Sequence, residues 1–305
     1  MKKNILIIKA AISACLLLYL FSVVDVSAMG ETLANATISY IVLTLLVMLL
    51  NVLLSCYKWQ ALLKIDKVKS SLSELVNYYL IGIYFNNFLP TSIGGDAVRV
   101  YLLSMRKGYA AAFTSVSVER ISGLIALILF GLVGLIFVPD VGSENEVKII
   151  FICLTIILIA LVFMLNSEAQ RFVKKVRLFG LERHIDRFFS GISLYLKDHK
   201  TVTIVIWTSL LYQMLIILIY FLAATSLSIK VSILELTTVV PIVTLLTMLP
   251  FSLNGLGIRE GGFVFFLSRL DISEHNALLL SLLTYGLTLL FSFFGGLLFF
   301  RSKYC

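Results

Sequence analysis

Leu89-Pro90-Thr91-Ser92-Ile93-Gly94-Gly95-Asp96-Ala97-Val98-Arg99 has a counterpart in Leu249-Pro250-Phe251-Ser252-Leu253-Asn254-Gly255-Leu256-Gly257-Ile258-Arg259. Leu, Pro, Ser, Gly and Arg coincide without a gap, at an offset of 250 − 90 = 160 residues. Each stretch interrupts an otherwise apolar region, 72–105 and 232–268. Proline removes a backbone donor and ends a helix, and glycines beyond it permit tight turns and close approach. The two regions are therefore expected to break, with Pro90, Gly94, Gly95, Pro250, Gly255 and Gly257 as hinges.

Around these breaks the chain is 60% hydrophobic and 14% charged, with a mean hydropathy of +1.02 over 305 residues. Soluble domains carry about 25% charged residues, so the balance is that of a membrane protein. A spanning helix needs about 20 apolar residues. Candidates are 10–29, 38–57, 112–138, 148–165, 201–223 and 276–300. Lys2, Lys3 and Val26-Ser27-Ala28 resemble a signal peptide, and Ile12-Ser13-Ala14-Cys15 a lipoprotein site. Lys9 breaks the first apolar run, and a retained first helix accounts for the same features. Cys15, Cys56, Cys153 and Cys305 have no metal-ligand spacing and read as small apolar fillers or an incidental terminal residue.

Basic residues in short loops stay cytoplasmic. Lys2, Lys3 and Lys9 precede the first helix; Lys58, Lys64, Lys67 and Lys69 follow the second; Arg106 and Lys107 precede the helix at 112. The polar stretch 166–200 carries eight Lys and Arg, and Arg301 and Lys303 close the chain. The other side receives Asp25, Glu31, Asp140, Glu144, Glu146, Asp271 and Glu274. Both termini are thus expected inside, and the net charge of +8 is mostly topology signal. The connector 166–200 suits an amphipathic segment on anionic lipid. No aromatic-basic surface or soluble fold is available to present to nucleic acid. His184, His199 and His275 read as solvated residues.

This sidedness makes 72–105 enter and leave from the cytoplasm, and 232–270 from outside. Two re-entrant hairpins on opposite faces satisfy it. The 160-residue offset also carries 38–57 onto 198–217 and 112–138 onto 272–298. The expected fold is an all-α polytopic membrane protein, 1–305, built as an inverted repeat of helix, helix, broken re-entrant hairpin and helix. The halves are 5–138 and 148–300, giving about six full spans plus two hairpins. Such repeats mark transporters, with a substrate site where broken elements meet, because irregular backbone must face protein or a wet cavity.

Charges at membrane depth are costly and usually functional. Asp96 and Arg99 follow the first break, Arg259 and Glu260 the second, and Glu119 and Arg120 fall early in 112–138. An arginine near a restarting helix's N-terminus makes an anion site. Asn86, Asn87, Ser92, Ser252 and Asn254 add uncharged donors. The alternative is internal pairing, Asp96 with Arg120 or Glu119 with Arg99, which would lock helix ends together. Gly131, Gly134 and the Gly295-Gly296 pair suit close helix packing.

Asn86-Asn87-Phe88-Leu89-Pro90 through Gly94-Gly95-Asp96 and Arg99, then Glu119-Arg120, then Asn254-Gly255-Leu256-Gly257-Ile258-Arg259-Glu260-Gly261 resemble the lysylphosphatidylglycerol synthase transmembrane-region family, the flippase-like domain proteins. The resemblance covers essentially the whole chain. That family includes bifunctional enzymes that aminoacylate phosphatidylglycerol in a separate C-terminal cytoplasmic domain and then move it across the membrane, and stand-alone members, some associated with isoprenoid-lipid or glycolipid pathways. With the chain stopping at Cys305, the resemblance implies the translocating part alone.

The expected function is a lipid flippase or transporter of a prokaryotic cytoplasmic membrane, multi-pass with both termini cytoplasmic. It would move an anionic or lipid-linked substrate (phospholipid, glycolipid or polyprenyl) by alternating access between the hairpins. Arg99 and Arg259 would hold the head group, with Asp96, Glu119, Arg120 and Glu260 orienting them. Partners are membrane lipids with anionic head groups and a lipid-modifying enzyme. The alternative is a membrane-embedded enzyme or accessory subunit in lipid or glycolipid biosynthesis. No metal-ligand cluster, nucleophile–base pair or nucleotide loop is present, so no catalytic residue, metal or cofactor is assigned.

Overall fold

The computed structural model describes residues 2–88, 94–138, 149, 152–153, 155–157, 159, 192, 194–249 and 252–301. Pro90, Ser92 and Pro250 lie outside the described residues, as do much of the expected helix 148–165 and most of the connector 166–200. Among the described residues the named elements are helices: α1 Lys2–Val23, α2 Val26–Ala34, α3 Ile38–Ile65, α4 Leu72–Phe88, α5 Gly94–Lys107, α6 Tyr109–Phe137, α7 His199–Ser226, α8 Ile233–Met248, α9 Ile258–Ser268 and α10 Glu274–Arg301.

Burial is arranged for a lipid solvent. Trp207, Phe300, Ile38 and Phe293 are exposed, whereas Lys58, Asp96, Arg99, Glu119 and Glu260 are buried. Water would favour the opposite arrangement, since an ionised group pays heavily for burial and an apolar one gains by it. The helices α3, α6, α7 and α10 are each long and apolar enough to cross a bilayer. The chain is a multi-pass integral membrane protein.

Length separates two helix classes. At about 1.5 Å per residue, the 28 residues of α3 run about 42 Å. The 17, 14, 16 and 11 residues of α4, α5, α8 and α9 run about 25, 21, 24 and 16 Å, short of the roughly 30 Å hydrocarbon core. These four flank the two breaks. Adding 160 to the limits of α3 gives 198–225, against His199–Ser226 for α7. The same addition to α4 gives 232–248, against Ile233–Met248 for α8. The packing alternates accordingly: α3 lies along α7, α4 against α10, and α6 against α8.

Among the described residues two larger apolar cores result, beside two small clusters. One gathers α6 to α10 with the end of α1, around Leu236, Val239, Phe263, Phe266 and Leu278. The other gathers α3 to α6, around Trp59, Leu63, Leu75, Tyr78, Ile81 and Leu103. Bare glycines set the crossings. A Cβ on Gly295 of α10 would stand 2.0 Å from the Leu80 carbonyl of α4, and one on Gly134 of α6 2.6 Å from Thr238 of α8.

Several sequence expectations change in detail. The first span does not run through 10–29. It ends at Val23, and α2 leaves at 83°. Asp25 causes the turn as the N-cap of α2, its carboxylate accepting from the Ser27 and Ala28 amides at 2.9 and 3.1 Å. The second span does not stop at 57 but continues to Ile65, so Lys58 lies inside a helix and is 3% exposed. Gly94 and Gly95 are not turn residues. They open α5, and Gly95 serves contact: its Cβ would lie 1.9 Å from the Gly82 carbonyl of α4.

Candidate functional site

A cavity of about 380 Å³ lies between the two cores. Asn86, Asn87, Asp96, Arg99, Arg120, Asn254 and Arg259 all line it, from α4, α5, α6, the second break and α9. Asn86 and Arg259, 173 positions apart (259 − 86), thus share one space. Glu119 and Glu260 are not among the lining residues. Each stands behind, holding an arginine. Ser252 is buried, and its hydroxyl has no hydrogen-bond partner among the described residues.

The first-half charges form a chain, Glu119–Arg99–Asp96–Arg120. Arg99 Nη2 meets Glu119 Oε2 at 2.5 Å and Arg99 Nη1 meets Asp96 Oδ1 at 3.2 Å. Arg120 grips the other face of Asp96, Nε to Oδ2 at 2.6 Å and Nη2 to Oδ1 at 2.8 Å. Both pairings considered from sequence are formed. Arg99 is also sandwiched between the Trp59 and Tyr79 rings, 4.3 and 4.2 Å from its guanidinium carbon. Its side chain is 2% exposed, whereas that of Arg120 is 45% exposed, and Arg120 lines the cavity. The two arginines therefore differ in kind. Arg99 is enclosed, and Arg120 is open to the cavity.

The second break is a turn of left-handed residues: Asn254, Gly255 and Gly257 have φ of 49°, 76° and 84°. Glycine tolerates this backbone, which L side chains resist. Gly255 and Gly257 are thus turn residues, and α9 restarts at Ile258 with Arg259 in its first turn. Glu260 binds twice. Its Oε2 accepts from the Gly257 amide at 2.7 Å, and its Oε1 accepts from Arg259 Nη2 at 2.6 Å. The Arg259 guanidinium lies 3.9 Å from the Tyr285 ring centre. From α1, Ser13 Oγ accepts from the Leu253 amide at 3.0 Å, and Leu16 packs at Gly257.

The last turn of α4 meets the second break. Asn254 Nδ2 reaches Asn87 Oδ1 at 3.5 Å, the long limit of a hydrogen bond. Asn86 Oδ1 accepts from the Gly95 amide at 2.7 Å and ties α4 to the start of α5. Asn86 thus joins α4 to α5, while Asn87 faces the second break.

Sequence reasoning missed much of the lining. Tyr79, Tyr212, Tyr220 and Tyr285 contribute rings, and Asn51, Ser55, Thr244, Thr247, Thr284 and Thr288 polar groups. Several hydroxyls donate to their own helix, as Thr244 does to the Val240 carbonyl at 2.7 Å and Thr284 to Leu280 at 2.9 Å. Such residues sit comfortably in any membrane helix, so composition alone carries no sign of the cavity. Their oxygen lone pairs remain as acceptors. Among the described residues no group of three His, Cys, Asp or Glu side chains is placed to hold a metal.

Comparison with known proteins agrees with the motif reading. The family profile described as lysylphosphatidylglycerol synthase TM region matches residues 6–296. A UPF0104 membrane protein of Pyrococcus horikoshii is 26% identical over 196 residues, 63% of this chain; the chain spans 56% of that relative's length. A UPF0104 membrane protein of Methanocaldococcus jannaschii is 22% identical over 304 residues, 92% of this chain and 89% of the relative.

Proposed function

The chain belongs to the lysylphosphatidylglycerol synthase TM region family, and we propose that it is a lipid flippase or transporter of a prokaryotic cytoplasmic membrane. The substrate's anionic head group enters the polar cavity while its apolar chains stay in the bilayer. Arg120 and Arg259 contact the head group. Arg99 positions Glu119 and Asp96, and Asp96 is the carboxylate from which Arg120 is released when an anion arrives. The chain moves its substrate without making or breaking covalent bonds.

One observation carries this reading: four helices, α4, α5, α8 and α9, each too short to cross the bilayer alone, border a cavity lined by Arg99, Arg120 and Arg259. Interrupted backbone at membrane depth has to line protein or a wet space. Anion recognition there comes from guanidinium forks aided by free amides at a helix start. In this reading 5–138 and 148–300 are the inverted halves, α4/α5 and α8/α9 are re-entrant hairpins from opposite faces, and both termini are cytoplasmic. Near-equivalent halves then give two mirror-related states, one open to each side.

The test is movement of labelled lipids in vesicles containing purified protein. Wild type is expected to equilibrate at least one anionic lipid between leaflets, and the Arg120→Ala/Arg259→Ala double variant is not. Equal rates for the two proteins and for empty vesicles, across phospholipids, glycolipids and polyprenyl phosphates, would remove the proposal.

A further inference from the structure

Lys58 is a buried cation that the pairing scheme of the cavity leaves over. It is 3% exposed, in the interior of α3. Its Nζ donates to the Glu119 main-chain carbonyl at 3.4 Å and to Ser209 Oγ at 3.2 Å, and lies 5.8 Å from the Tyr212 ring centre. Both hydrogen-bond partners are uncharged. Each of the other three cations at the cavity holds a carboxylate: Arg99 with Glu119, Arg120 with Asp96, Arg259 with Glu260.

Position ties Lys58 to the cavity. Asn51 and Ser55 of α3 line it, and Lys58 continues their stripe one turn on, at the i+3 spacing from Ser55. Tyr212, whose ring faces the lysine, is itself a lining residue. The described ionisable groups of the cluster are four cations (Lys58, Arg99, Arg120, Arg259) and three anions (Asp96, Glu119, Glu260), so 4 − 3 leaves one positive charge. Away from water that excess is weakly screened and acts across the whole cavity.

We infer that Lys58 is the specificity-determining residue of the cavity, setting its preference for a head group with one net negative charge. The inference rests on the lipid-site reading above and narrows it. A singly charged phosphodiester neutralises the excess. A zwitterionic head leaves it standing, so it is disfavoured although the same arginines meet its phosphate. Lys58 acts through the field, without touching the ligand.

The experiment compares detergent-solubilised wild type, Lys58→Gln and Lys58→Arg for binding of dihexanoyl phosphatidylglycerol and dihexanoyl phosphatidylcholine, each a phosphodiester with the same chains. Gln keeps a donor for the Glu119 carbonyl and Ser209, so the packing is retained. Wild type and Lys58→Arg should prefer the glycerol lipid by roughly tenfold, the effect of a unit charge over about 10 Å at an effective dielectric of about 20. Lys58→Gln should bind both within about twofold. Equal binding of the two lipids by wild type, which needs no variant, or an unchanged preference in Lys58→Gln, overturns the role of Lys58 and leaves the lipid site standing. Binding of neither lipid by wild type overturns the lipid site and this inference together.

Discussion

Asp96 and Arg120 are joined twice, Nε to Oδ2 at 2.6 Å and Nη2 to Oδ1 at 2.8 Å, yet one is 8% exposed and the other 45%. The pair is a bidentate fork whose carboxylate is enclosed and whose guanidinium faces the cavity. Removing each arginine should therefore have a different result. Arg120→Ala leaves Asp96 still bonded to Arg99, so the fold survives and anion binding falls. Arg99→Ala strands Glu119 in the interior and empties the space between Trp59 and Tyr79, at a cost of about 3–5 kcal/mol. Melting followed by size-exclusion chromatography should find Arg99→Ala poorly folded and Arg120→Ala near wild type. The reverse order would overturn the division between enclosed and open arginine.

Glycine substitutions should sort by contact. A Cβ at Gly95 or Gly295 would overlap a main-chain carbonyl, at 1.9 and 2.0 Å, and neither carbonyl can rotate aside. Gly95→Ala and Gly295→Ala should each force helices apart and cost about 1–3 kcal/mol or more. Gly286, in the interior of α10, has nothing within 4 Å of its Cβ position. Gly286→Ala should be neutral or stabilising, by up to about 1 kcal/mol. Melting temperatures of the three variants check the order.

The breaks were legible because they violate a strong rule: Pro, Gly and charge inside apolar stretches have few explanations. The roles of the arginines were not. Sequence alignment of the halves makes Arg99 and Arg259 equivalents, but Trp59 and Tyr79 close over Arg99 and leave Arg120 as the open cation, a matter of packing that spacing does not carry. Lys58 was misread for a related reason. The apolar run of α3 ends there, so the lysine looks like the start of a cytoplasmic loop, whereas Trp59, Leu62 and Leu63 continue the helix as buried core. The short α2 had a signal that went unused, Asp25 followed by Ser27 and Ala28, an N-cap in the middle of an apparent span.

Asp66 offers a pH test outside the spanning segments. It follows α3, and the Tyr195 hydroxyl donates to its Oδ2. Burial raises its carboxyl above the ordinary value, with the Tyr195 bond acting weakly the other way. A carboxyl raised on folding takes up protons more readily in the folded chain. Stability from this group is thus gained as pH falls through the folded value and lost as pH rises above it. Asp66→Asn keeps an oxygen for Tyr195 and removes the charge. It should melt higher than wild type at neutral pH, and the gap should close on acidification. A variant that melts lower at pH 7 would mean that the charge itself holds the contact.

Sidedness is the sharpest remaining test of the architecture. Cys15 and Cys153 are exposed and Cys56 is buried, so single cysteines must be read in a background with Cys15, Cys56, Cys153 and Cys305 replaced. Asp25 and Lys69 flank α2 and α3; Asp271 and Arg301 flank α10, and all four are exposed. The 28 residues of α3 and of α10 each run about 42 Å, enough to cross the bilayer once. In intact cells a membrane-impermeant maleimide should label Asp25→Cys and Asp271→Cys, while Lys69→Cys and Arg301→Cys react only after lysis. Asp25 and Lys69 report on the first half and Asp271 and Arg301 on the second, so one reagent tests both halves. Labelling of Lys69→Cys from outside would put the first break on the outer face. If Arg301→Cys stayed protected, both breaks would then enter from the same side, and no mirror-related pair of states could exist.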